Sequence, residues 1–76
     1  MTMTIRLDSI KKVKEFVNIT NNYSGEIEVL SGRNTVDARS IMGVLSLDLK
    51  NNLILDIKTE ENLPVLLCAL KPYRVA

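Results

Sequence analysis

The stretch ARSIMGVLSLDL, residues 38–49, decides how the chain must be read. Six apolar side chains, Ile41, Met42, Val44, Leu45, Leu47 and Leu49, crowd into nine positions behind a single serine. A strand there is disfavoured by Gly43 in its middle. A strand directly after TVDAR (35–39) also needs a turn, and Arg39-Ser40 is a poor one. A short helix fits better, because Ser40 is a favoured N-cap whose hydroxyl accepts a bond from a backbone N–H two or three residues on. On that helix Val44 and Leu47 lie close together, whereas Ile41, Met42 and Leu45 spread onto another flank. One short helix buries one stripe, so part of this apolar surface is expected to face solvent, where a partner can meet it.

On either side of this stretch the hydrophobic period changes several times. Residues 2–7 alternate, with Met3, Ile5 and Leu7 on one side, and read as a half-buried strand. Ile10, Val13, Phe16, Val17 and Thr20 then follow helical spacing, with lysines mostly opposite. Asp8 or Ser9 suits the N-cap of this helix, and Asn21 and Asn22 suit a left-handed stop. Residues 26–30 alternate again, Ser31-Gly32-Arg33-Asn34 reads as a hairpin turn, and residues 35–39 return with Val36 and Ala38 on one side. Beyond the opening stretch, Leu53, Leu55 and Ile57 share one face of a last strand. Leu63, Leu66, Leu67 and Leu70 line one side of a last helix, with Asn62 as its expected cap, Pro64 in its first turn and Pro72 as its stop. The order is strand, helix, strand, strand, short helix, strand, helix. The expected architecture is α+β: a single domain, residues 1–76, with a four-stranded, mostly antiparallel sheet and helices on one face. The tail Tyr73-Arg74-Val75-Ala76 is expected to be loose.

Composition removes whole classes of function. The chain has no histidine, so imidazole is missing as metal ligand, general base and phospho-acceptor. Its net charge of +1 and three aromatic residues supply neither a basic stripe nor a stacking surface for nucleic acid. No apolar run approaches the ~20 residues of a membrane span. The first residues build no secretion signal, and one unpaired cysteine suits a reducing cytoplasm. That cysteine, Cys68, is expected in the core. The carboxylates Asp8, Glu15, Glu26, Glu28, Asp37, Asp48, Asp56, Glu60 and Glu61 fall on polar faces or in loops. With no acid–base spacing, glycine-rich phosphate loop or metal-ligand cluster, the chain reads as non-enzymatic and without cofactor.

Ser40 to Leu47, SIMGVLSL, resembles the regulatory-serine motif of HPr, the small phosphocarrier of the bacterial sugar phosphotransferase system. Tyr23 before the second strand, the hairpin SGRNTV (31–36) and the order βαββαβα are similar too. The resemblance implies the HPr-like open-faced β-sandwich. It also implies a phospho-accepting histidine at the start of the first helix, followed closely by arginine and proline. The sequence there is Asp8-Ser9-Ile10-Lys11-Lys12, with neither the histidine nor the arginine. A serine hydroxyl does not accept and return a labile phosphoryl group as an imidazole does, so ordinary phosphorelay is not expected. What the resemblance leaves is the second HPr site. Ser40 is then phosphorylated by an ATP-dependent HPr kinase/phosphorylase, and the modified protein acts with a transcription regulator in carbon catabolite repression. Ile41, Met42, Leu45 and Arg39 form the expected partner-binding patch, with Arg39 placed to shield the phosphate or to help a kinase position the loop. An interaction module of the same fold without any phosphorylation is the alternative. A ferredoxin-like ligand- or RNA-binding domain shares βαββαβ order, but the outward strand positions carry Thr, Glu and Asp where stacking aromatics would be needed.

Overall fold

The alternating apolar residues of the four strand segments all turn toward one layer of helices. In the computed structural model, which describes residues 1–59 and 61–75, the strands are β1 (Thr2–Ile5), β2 (Ile27–Ser31), β3 (Asn34–Asp37) and β4 (Leu53–Ile57). The helices are α1 (Ile10–Asn21), α2 (Ile41–Leu45) and α3 (Leu63–Leu70), and a 3-10 turn follows at Lys71–Tyr73. Sheet order is β1-β4-β2-β3, with every pairing antiparallel. Register aligns Met3, Leu55, Val29 and Val36 in one row across the sheet. The first three are buried, with Ile5, Ile27, Leu53 and Ile57 beside them. The neighbouring row of Thr2, Asp56, Glu28 and Asp37 belongs to the opposite face, because side chains alternate along each strand. There Lys58 bridges Glu28 and Asp56, at 3.1 and 2.7 Å. The expected α+β open-faced sandwich is therefore the observed fold.

The helices close the other face. α1 buries Val13, Phe16, Val17 and Thr20; α3 buries Leu66 and Leu70; α2 contributes Val44, with Leu47 just behind it. Each large apolar side chain so covered contributes about 1.5–3 kcal/mol. Gly32, at φ +58°, makes the tight β2–β3 turn, in a conformation that side chains resist. Gly25 is needed for a different reason: a Cβ there would overlap the Thr59 hydroxyl and the Tyr23 ring.

Several local expectations change. β1 ends at Ile5, yet Leu7 is still fully buried. Leu7 fills the core at that end, and Ile10, the first residue of α1, is left 61% exposed. Ser9, not Asp8, caps α1, accepting from the Lys12 N–H at 3.2 Å. α1 stops without a left-handed residue: Asn22 has φ −89° and folds its N–H back onto the Ile19 and Thr20 carbonyls. Asn62 is the residue with positive φ (+53°), and its side chain caps nothing. One amide such a cap would serve belongs to Pro64, which has no N–H. Cys68 is exposed. It stands two residues from each of the buried pair Leu66 and Leu70, about 200° around the helix, so it points outward. The tail is tied through Val75. Tyr73 is buried, Ile5 pairs with Arg74, and the Val75 N–H donates to the Thr4 carbonyl at 3.0 Å. Glu60, counted above among the solvated carboxylates, and Ala76 of the tail lie outside the described residues.

Candidate functional site

Ser40 stands where the chain leaves β3 and enters α2. Its backbone is extended (φ −92°, ψ 108°), as an N-cap requires, and its Oγ accepts from the Gly43 N–H at 3.1 Å. Its carbonyl accepts the first helical bond, from Val44 N–H at 2.9 Å. At the far end of this single turn the Ser46 hydroxyl donates to the Gly43 carbonyl at 2.6 Å. The helix is shorter than the apolar run, closing at Leu45. Ser40 itself is exposed.

The residues just before Ser40 are anchored to the end of α1. Ala38 is fully buried, and its N–H donates to the Ile27 carbonyl at 3.0 Å. The hydroxyl of Thr20, also fully buried, approaches the Ala38 carbonyl to 2.8 Å. The Asn21 amide donates to the Arg39 carbonyl at 3.2 Å. Asp37 accepts the Arg39 N–H through its carboxylate and the Ser40 N–H through its carbonyl. Thr20 and Asn21 thus position Ser40, although sequence reading took Thr20 as part of an apolar stripe and Asn21 as a stop. The available signal was a hydroxyl recurring at helical spacing on a buried face, since a buried hydroxyl needs a partner.

The expected patch divides. Met42 is 75% exposed, whereas Ile41 and Leu45 are half-buried against the core beside fully buried Val44. Arg39 is taken up inside the fold. It is half-buried, and its guanidinium donates to the carbonyls of Tyr23, at 3.0 Å, and Gly25. It straps the α1–β2 connection to the start of α2. The structure brings Ser40, Met42 and the edges of Ile41 and Leu45 to one surface and commits the Arg39 head group elsewhere.

Ser9 caps the opposite end of α1. That helix has 12 residues, about 18 Å of axis, and Ser40 is tied to its far end through Thr20 and Asn21. Beside Ser9, Lys12 bonds the Asp8 carboxylate at 3.1 Å and holds its pKa below the ordinary carboxylate value. Among the described residues no group of three or more potential metal ligands occurs, and no helix is long and apolar enough to cross a membrane.

Residues 10–63 match the family model described as the phosphorylation site of the HPr component of the phosphotransferase system. The chain belongs to the HPr family. Its fold agrees with two solved structures. HPr-C-His from Thermoanaerobacter tengcongensis is 26% identical, with a TM-score of 0.75, over 92% of this chain and 89% of that one. The phosphocarrier protein HPr from Bacillus anthracis str. Ames is 23% identical, with a TM-score of 0.67, over 91% and 92%, a likeness of fold. No curated protein matches the chain. The region matched to the HPr family holds Ser40 and all of α2, and begins one residue after Ser9.

Proposed function

We propose that this HPr-family chain is a regulatory, non-enzymatic protein of the cytoplasm, switched by phosphorylation of Ser40 and not used as a histidine phosphocarrier. The observation that carries the reading is a contrast. The chain contains no histidine, while a serine hydroxyl stands exposed on an anchored loop beside the exposed Met42. A kinase transfers the γ-phosphoryl group of ATP to Ser40 Oγ, releasing ADP and the hydroxyl proton. The ester oxygen remains able to accept from Gly43 N–H, so the turn survives modification. Phosphorylation adds roughly −1.5 to −2 charges and three strong acceptor oxygens. An anion then sits beside an apolar side chain, and a partner with a basic pocket next to a hydrophobic groove reads both. An HPr kinase/phosphorylase-like enzyme and a transcription regulator are the partners this reading assigns.

The test is incubation with an HPr kinase and ATP, followed by intact-mass measurement. One phosphoryl group is gained, and none by Ser40→Ala. No gain, or a gain that persists in Ser40→Ala, refutes the switch. The exposure of Met42 also favours a second reading, an interaction module indifferent to the state of Ser40. A pull-down with Ser40→Asp and Leu45→Glu separates the two. If only Leu45→Glu changes the partners captured, the patch works without the serine.

A further inference from the structure

α3 carries apolar surface that the fold does not use. Leu63, Leu66, Leu67 and Leu70 pack on the core side, but Pro64, Val65, Cys68 and Ala69 are all exposed, Val65 to 72%. These four lie at i, i+1, i+4 and i+5, one stripe on the outer side of the helix. The stripe continues into a groove of about 530 Å³ between the end of α1 and α3, walled by Ile19, Tyr23, Leu66 and Ala69, with Asn22, Ser24 and Asn62 as its polar part. None of the residues lining that groove is charged, and α3 itself, LPVLLCAL, has no charged residue. Among the described residues the charges nearest the ends of α3 are Glu61 before it and Lys71 after it, both exposed.

We infer that this face of α3 packs against the same face of a second copy of the chain, with the two helices antiparallel. The pattern is its own complement in that arrangement. A two-fold axis at the level of Leu66 and Leu67 sets Val65, the large projecting side chain, over the small Cys68 and Ala69 of the second copy, and the reverse. The same axis brings Glu61 of each copy level with Lys71 of the other, giving two opposite-charge pairs. A parallel pairing would oppose Val65 to Val65 and like charge to like charge at both ends. Within one copy the whole of α3, about 12 Å of axis, stands between Glu61 and Lys71, so they do not satisfy each other. The net charge of +1 adds little repulsion between copies. Eight residues of helix offer about 12 Å of contact. The interface is therefore small beside the roughly 1,200–2,000 Å² of a standard one, and association is reversible and seen at high concentration.

The test is sedimentation equilibrium on the intact protein, with concentration raised to about 1 mM. The weight-average mass should climb toward twice the monomer value. Val65→Glu should hold it at the monomer value without lowering the thermal midpoint, whereas Met42→Glu should leave association unchanged. Glu61→Lys and Lys71→Glu should each weaken association, and the two together should restore it. The Cys68 thiol should react more slowly with a maleimide as the mass rises. A protein monomeric throughout overturns the inference. So does association that Val65→Glu leaves intact, that the double charge exchange fails to restore, or that leaves Cys68 equally reactive. None of these outcomes depends on whether Ser40 is phosphorylated.

Discussion

Thr20→Val tests the anchoring of Ser40 most directly. The Thr20 hydroxyl lies 3.0 Å from the Val17 carbonyl and 2.8 Å from the Ala38 carbonyl, but it has one proton to give. The Val17 carbonyl already has the Asn21 side-chain amide at 2.9 Å, so the proton belongs on Ala38. Valine keeps the shape and removes that donor. Thr20 and Ala38 are both fully buried, so water does not readily take its place. A buried carbonyl left without its donor costs about 1–3 kcal/mol. For a domain this small each kcal/mol moves the thermal midpoint by about 4–8 °C, and the expected fall is roughly 5–20 °C. Thr20→Ser keeps the donor and loses one methyl, about 0.8 kcal/mol for a group that size, and should melt above the valine variant. The assay is calorimetry of the three proteins side by side. A valine variant as stable as the wild type, or more so, refutes the claim that this hydrogen bond holds the start of α2.

Other perturbations follow the same logic. Ser40→Ala loses the cap on Gly43 and should cost about 1 kcal/mol in urea unfolding, whereas Ser40→Asp, another good cap, should cost less. Gly25→Ala forces a Cβ to within 1.8 Å of the Thr59 hydroxyl oxygen, and should lower stability by about 1–3 kcal/mol or displace the Tyr23 ring, visible by NMR. The Asp56 carboxyl is held below its ordinary pKa of 3.8 by its hydrogen bond to Lys58, so its contribution is present above that value and fades as the pH falls through the lower folded value. Stability in urea should therefore drop below about pH 4, and less steeply in Asp56→Asn. Tyr73 moves the other way. Burial first, then the nearby Glu15, raise its pKa above 10.0, so its contribution holds below that pH and is lost as the pH climbs through the folded value. Tyr73→Phe should flatten the alkaline part of the stability curve.

The elements were legible because their residues follow simple periods: two for the strands, 3.6 for α1 and α3. Local chemistry placed Ser40 as a cap for the same reason, since the capping hydroxyl and the amide it serves are three residues apart. The missing histidine also needed no structure. What failed in sequence reading was the orientation of residues whose surroundings come from elsewhere in the chain. Cys68 looked like core within LPVLLCAL, but α3 presents only one side to the sheet, and the leucines take it. The tail looked loose because its partners, Thr4 to Arg6, are some 70 residues away.

Strand and helix order, the sheet's apolar face and the absence of imidazole chemistry are readable from the residues alone, because each depends on residue type and short-range spacing. Folding fixed what Arg39 does. Its neighbours in the chain mark it as a charge beside a phosphorylatable serine, yet folding carries the Tyr23 and Gly25 carbonyls to its guanidinium. It decided equally that Thr20 and Asn21 hold the loop bearing Ser40, 18 residues from the carbonyls they bind. Hydrogen bonds between distant segments leave no period in a sequence, since their geometry exists only once the helices have packed on the sheet.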